Sequence, residues 1–158
     1  MVIKMTGSGV EVRTYTTMNN ICRDVWESVR SRSSRGSIYQ SYDWIATLER
    51  TLYLDGRHVV VKESGNPVGI FPNFATPLRL PSKVERLLPN KSLDPFLEVW
   101  SLDPGYGGPI VHGDKKAILD SCFRALSRAV GSRTLSHYIR CLQPDYVRYA
   151  EYFESRGY

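Results

Sequence analysis

The chain has 158 residues, 42 % of them hydrophobic and 23 % charged, with 21 Lys+Arg against 16 Asp+Glu for a net charge of +5. That length holds one domain with a real core and is too short for two ordinary ones. No stretch approaches the roughly 18 apolar residues of a transmembrane segment and no block of like charges occurs, so the basic excess reads as a solvated surface able to meet an anionic partner such as a phosphate-bearing cofactor, a lipid headgroup or RNA.

In chain order, no signal peptide is visible at Met1–Gly7. Val10-Glu11-Val12-Arg13-Thr14-Tyr15 alternates and is β-branched, which predicts a strand. Ile21, Cys22, Val25, Trp26 and Val29 recur at helical spacing, predicting an amphipathic helix capped by Asn19 or Asn20. After a polar loop at residues 31–36, a second helix is expected from the N-cap Ser41, with Trp44, Ile45, Leu48 and Leu52 as its apolar stripe. His58–Glu63 and Val68–Pro72 form a predicted hairpin around Gly65-Asn66, and Val59-Val60-Val61 reads as a strand covered on both faces.

Residues 77–96 hold four prolines and form a long connection, with one helical turn expected around Val84–Leu88. Leu97–Leu102 is the next strand. It leads into Ser101-Leu102-Asp103-Pro104-Gly105-Tyr106-Gly107-Gly108-Pro109, where glycines let the backbone come close to a ligand. A third helix runs from Asp114 to Gly131, with Ile118, Leu119, Cys122, Phe123, Leu126, Ala129 and Val130 on its apolar face. Leu135, His137, Ile139 and Cys141 alternate as a strand, and Pro144 opens a last helix carrying Tyr146, Tyr149, Ala150 and Phe153 on one side. The chain stops after Arg156-Gly157-Tyr158, a helix end followed by an aromatic residue, which reads as a fragment awaiting another strand.

Cys22, Cys122 and Cys141 are far apart and without Cys-x-x-Cys spacing, so reduced thiols on apolar faces of a cytoplasmic protein are the favoured account. No pair of histidines has metal-ligand spacing, and no metal site is predicted. His112 reads as a surface residue, His137 as a buried and hydrogen-bonded one, and Trp26, Trp44 and Trp100 as core.

The order of elements is that of the GNAT acyltransferase fold up to its last two strands. Four stretches resemble tandem-GNAT proteins of the Fem type. Tyr39-Gln40-Ser41-Tyr42-Asp43-Trp44 is similar to their F-Q-S-x-x-W approach to the second helix. Pro67–Pro72 resembles their x-V-G-x-x-P strand, Ser101–Pro109 their S-x-P-x-x-x-Y-G-G signature, and Glu154–Tyr158 the L-x-x-x-G-[FY] helix end of GNAT domains. The resemblance spans about residues 37 to 158. It implies a mixed, largely antiparallel sheet flanked by helices, lacking its last strands, as one GNAT-like domain over 1–158 that is the N-terminal half of a longer protein.

The resemblance further implies transfer of an acyl or aminoacyl group to an amine. The acceptor would be a small molecule or a cell-envelope precursor, the other partner a second GNAT-like domain downstream. Two departures stand beside it. The Arg/Gln-x-x-Gly-x-Gly/Ala loop that binds the pyrophosphate of coenzyme A in an ordinary GNAT is absent, since the residues before Asp114 are Gly108-Pro109-Ile110-Val111-His112-Gly113. The Pro104–Tyr106 spacing is also shorter than the family pattern. The segment itself is therefore assigned no cofactor, and acetyl-CoA or another acyl donor belongs to the complete protein.

The candidate residues keep two readings each. Asp103 is a general base for an amine or a turn cap beside proline. Tyr106 presents its hydroxyl to a substrate or packs over the turn, with Gly107 and Gly108 letting backbone approach. Arg140 pairs with a substrate phosphate or carboxylate, or makes an ordinary salt bridge. The alternative to an acyltransferase is a non-catalytic basic module for nucleic acid or a lipid headgroup.

Overall fold

A computed structural model of the chain describes residues 2–4, 9–34, 36–78, 96–101, 107–113, 115–141 and 143–158. Among them the chain order is β1 (Val2–Lys4), β2 (Val10–Tyr15), α1 (Arg23–Arg32), α2 (Tyr42–Leu52), β3 (Asp55–Gly56), β4 (His58–Glu63), β5 (Asn66–Phe71) and β6 (Phe74–Pro77). Then come β7 (Leu97–Ser101), β8 (Ile110–Val111), α3 (Lys115–Val130), β9 (Thr134–Ile139) and α4 (Gln143–Glu154). Of the connection expected at 77–96, Pro77 instead closes β6, and residues 79–95, with the expected helical turn, lie outside the described residues, as does Asp114.

The helices form where apolar periodicity and caps coincide, with one shift. The first helix begins at Arg23 rather than at Asn19 or Asn20, because Met18–Asn20 closes a 3-10 turn in which Thr17 accepts from the Asn19 N–H. The Met18 N–H is drawn to the Glu49 carboxylate at 3.0 Å, and the Met18 side chain is buried. Ser41 caps α2 as expected, its Oγ accepting from the Trp44 N–H at 3.3 Å. The helix ends on Tyr53, a left-handed residue at φ 52°. Ile45 and Leu48 are buried, whereas Leu52 is half exposed, so the buried stripe stops one turn earlier than its spacing implied. Ser41→Ala is expected to cost about 1 kcal/mol in urea unfolding, since one orphan N–H of the first turn loses its acceptor.

The β4–β5 hairpin turns on Ser64-Gly65, one residue before the pair expected. Both have positive φ, 49° and 84°, the mirror-image turn whose twist suits antiparallel strands. Val59 and Val61 face one core and Val60 the other, so the unbroken valine run is covered on both faces, as predicted.

Two sheets result, β1-β2-β4-β5-β8 and β3-β6-β7-β9, antiparallel throughout except for the parallel pair β7·β9. They are joined by a ribbon that runs from one into the other. Val59 and Val60 pair with Phe71 and Ile70, Asp55 and Gly56 with Ala75 and Phe74, and the Arg57 N–H donates to the Asn73 carbonyl at 2.8 Å between them. The register therefore holds through the Pro72-Asn73 kink. The parallel pair requires a crossover, which α3 supplies. This is the expected α+β architecture.

Two cores flank the sheets. Ile118, Leu119, Cys122 and Phe123 of α3, with Tyr149 and Phe153 of α4, cover Val12, Val59, Val61, Phe71 and Val99. Gly69 admits this layer, because a Cβ there would stand 2.9 Å from Ile118 Cγ2. On the other side Trp26, Val29, Ile45 and Leu48 cover Val60, Ile70, Phe74 and Ile110. Trp26 is fully buried and its indole N–H reaches the Gln40 carbonyl at 2.8 Å. Truncation of such a residue to alanine typically costs about 3–5 kcal/mol, far more than any surface ion pair at about 0–1 kcal/mol. Trp44 and Trp100 are only half-buried.

Candidate functional site

The glycine motif sits between β7 of one sheet and β8 of the other, not directly between a strand and a helix. Phe74 pairs with Trp100 and Ile70 with Ile110. The step from Phe74 back to Ile70 is four residues, whereas the step between their partners is ten, so the β7–β8 side carries six residues more. Asp103 and Tyr106 belong to this insertion and lie outside the described residues. Gly107 and Gly108, at its far end, are buried.

The base of the insertion is held by a set of hydrogen bonds from four separate stretches. Ser101 Oγ accepts from the Gly108 N–H at 2.7 Å and donates to the Pro72 carbonyl at 3.1 Å. The Gly108 carbonyl accepts from Gln40 Nε2 at 3.1 Å across 68 residues of chain. Gln40 Oε1 in turn accepts from the Ser37 N–H at 3.2 Å, which fixes the amide orientation. The Gly107 N–H donates to the Arg140 carbonyl at 2.8 Å, tying the insertion to the end of β9. Three of the stretches that carry the family resemblance, around Gln40, Pro72 and Ser101–Gly108, are thus joined through the Ser101–Gly108 hydrogen bond. Arg140 reaches this place through its backbone, and its side chain is exposed one position past β9.

Gly108 has no room for a side chain. Its φ is +101°, and an added Cβ would lie 2.7 Å from Cys141 Sγ. Cys141 is half-buried and Cys122 fully buried, burial pushing the Cys122 thiol up to about 12. Cys22 departs from the expected apolar placement: it is exposed at the N-cap of α1.

The segment between β8 and α3 tests the fit of a phosphate-bearing cofactor. Ile110 and Val111 are in the ladder with β5, the His112 N–H donates to the Val68 carbonyl at 2.8 Å, and the Gly107 and Gly108 N–H groups are engaged as above. Pro109 has no N–H. Of the donors in this stretch, the Gly107, Gly108 and His112 N–H groups are held within the fold and so are not turned toward a pyrophosphate. His112, expected at the surface, is half-buried with Nε2 donating to the Val29 carbonyl at 2.9 Å.

A chain of polar side chains, buried at its centre in His58 and Asn73, runs between the sheets. Glu49 accepts from Thr17 Oγ1 at 2.8 Å, from the Met18 N–H, and from His58 Nε2 at 2.7 Å. Burial alone would raise the Glu49 carboxyl, but these donors, His58 first, outweigh it and hold the group below its ordinary value. His58 Nδ1 accepts from the Asn73 N–H at 3.3 Å, so Nε2 carries the ring's proton toward Glu49. Asn73 donates through Nδ2 to the Phe71 carbonyl at 3.1 Å and accepts at Oδ1 from His137 Nε2 at 3.1 Å. His137 Nδ1 then accepts from the Tyr158 hydroxyl.

His137 is half-buried rather than fully buried, and it is hydrogen-bonded through both ring nitrogens, as expected. The Tyr158–His137–Asn73 order has the outline of a nucleophile, base and orienter. Its acidities argue against that use: burial pulls His137 down to about 4 and pushes Tyr158 up to about 12. So weak a base and so weak an acid share a hydrogen bond without transferring the proton, and the arrangement latches the end of α4 to the sheet. The sequence offered only His137; Glu49, His58 and Asn73 are 9 to 88 residues from one another and from it, and no local pattern joins them.

Among the described residues no group of three or more His, Cys, Asp or Glu could hold a metal ion, and no helix is long and apolar enough to cross a membrane. The sheet order and helices define an α+β protein. A solved structure of similar fold is an integron cassette protein from the mobile metagenome of V. cholerae, 12 % identical, with a TM-score of 0.52 over 96 % of this chain and 86 % of that one. No family model and no curated protein matches the chain.

Proposed function

We propose that the chain is a GNAT-like domain of a Fem-type acyl or aminoacyl transferase, binding the amine acceptor while a second domain binds the donor. The observation that supports this reading is the clamp on Gly108. Gln40, Pro72 and Ser101 come from three stretches quoted for the resemblance, and they converge on the insertion that carries Asp103 and Tyr106. A rigid base under a short insertion is what positions a general base and a hydroxyl against a bound amine.

The test is transfer from acetyl-CoA and from aminoacyl-tRNA to a panel of primary amines and cell-envelope precursors, using the full-length protein. Asp103→Asn is expected to lower kcat/KM about 100-fold, the lower range for loss of a general base, with the unfolding midpoint unchanged. Tyr106→Phe is expected to raise KM. Absence of transfer to every acceptor from both donors would falsify the reading.

A further inference from the structure

We infer that the cleft between the first turns of α3 and the end of α4 is a recognition site for the carboxylate of a small organic acid. The cleft holds about 460 Å³, opens to solvent and is lined by Lys116 and Asp120 on one wall and by Tyr152, Ser155 and Arg156 on the other. Spacing builds both walls. Lys116 and Asp120 stand four residues apart and share one helix face, and Tyr152, Ser155 and Arg156 repeat the i, i+3, i+4 interval. The lining is reachable from water. Lys116 and Ser155 are exposed, and the Arg156 and Asp120 side chains, which pair with each other, still keep 35 % and 32 % of their surface open.

The Arg156 guanidinium is held in place before any ligand arrives. Its Nη2 donates to Asp120 Oδ1 at 2.5 Å, and its central carbon lies 5.2 Å from the centre of the Tyr152 ring and 5.7 Å from that of Phe123. The Tyr152 hydroxyl donates to the same Asp120 oxygen at 3.0 Å. An arginine fixed on two rings and a carboxylate loses little further rotamer freedom on binding. Lys116 is the second cation. A lysine four residues before an aspartate is the weaker order for a helical ion pair, and here none forms, so the Lys116 ammonium has no partner among the described residues. Charge then selects the ligand. Lys116 and Arg156 against Asp120 leave the lining at +1, and Glu151 and Glu154 do not line it. One negative charge closes that balance. A planar carboxylate meets the guanidinium fork through parallel hydrogen bonds while the Lys116 ammonium offers another. A doubly charged phosphate exceeds the balance beside Asp120, and a cation meets two like charges.

The experiment is a two-dimensional NMR titration of the full chain at neutral pH and fixed ionic strength, with propionate, propionamide and methyl phosphate as probes. Expected are saturable shifts of the Arg156 Nε–H and of the Lys116, Asp120 and Ser155 amides with propionate, binding of propionamide about tenfold weaker, and no gain with methyl phosphate. Lys116→Gln is expected to weaken propionate about fivefold, the upper range for an exposed pair, and Lys116→Glu to abolish saturation, both with an unchanged unfolding midpoint because Lys116 is exposed and unpaired. Arg156→Lys keeps the charge beside Asp120 but loses the fork, and is expected to weaken propionate about tenfold. No saturable shift, propionamide binding as tightly as propionate, methyl phosphate binding more tightly, or indifference to both Lys116 variants overturns the site. The inference does not rest on acyl transfer. Propionate binding in a protein that transfers nothing keeps it and removes the transferase reading; transfer in a protein that binds no carboxylate in this cleft does the reverse.

Discussion

Gly108→Ala is expected to destabilise the protein by roughly 3 kcal/mol, read as a fall of about 10 °C in the unfolding midpoint for a chain of this length. Two separate costs contribute. A non-glycine residue at positive φ pays about 1–2 kcal/mol, because its Cβ crowds the following carbonyl. The Cβ also lands 2.7 Å from Cys141 Sγ, an overpacking of a site already closed by Gln40 and Ser101, and such insertions cost about 1–3 kcal/mol. The double variant Gly108→Ala/Cys141→Ala separates them. If the contact with sulfur is real, the second change recovers a good part of the loss, and what remains is the backbone term. Recovery of nothing would mean that the clash is relieved by movement of β9 instead. Gly65 is the contrast: it also has positive φ but open space around it, so Gly65→Ala shows the backbone cost alone.

The elements of this fold were legible because each rests on local chemistry. The valine run, the Ser41 cap and the α3 stripe are statements about neighbours three or four residues away, and they hold. The register was not legible, and it moved the glycine motif. Ser101–Pro109 reads as a turn between strand and helix when only its neighbours are considered; Ile110 and Val111 are too short a run to announce a strand, and only pairing with Gly69 and Ile70 makes them one. Cys22 looked apolar because it falls on the spacing of Ile21 and Trp26. The helix starts one residue after it, so it is a cap and exposed. His112 looked free because nothing near it in sequence accepts a proton, and its acceptor is Val29, 83 residues away. The parts of the candidate site that were missed share this property. Gln40 was visible as one letter of a motif, but its bond to Gly108 is a fact of the fold. Resemblance pointed to the right stretches without giving the geometry that brings them together.

Between pH 6.5 and 4 the protein is expected to lose about 3 kcal/mol of stability through His137 alone. Burial among Phe71, Phe123 and Tyr158 brings the imidazole to about 4, against 6.5 for the free group. The unfolded chain therefore binds a proton through this window that the folded chain refuses, so stability is full above pH 6.5 and falls as pH drops toward 4. Protonation of Nδ1 would also place a second donor against the Tyr158 hydroxyl, which now donates to it. Asn73 cannot help, since its Oδ1 already accepts from Nε2. Glu49 acts lower on the scale: its carboxyl is held below 4.5, so its contribution is present above that value and lost only as pH falls further. The two are separable by subtraction. His137→Gln keeps an amide that can donate to Asn73 and accept from Tyr158, and the difference between its stability-versus-pH curve and that of the unmodified protein should carry the 6.5-to-4 slope. A difference curve flat across that window would show that the ring takes up its proton without leaving the fold, and the latch between α4 and the sheet would then be open to water.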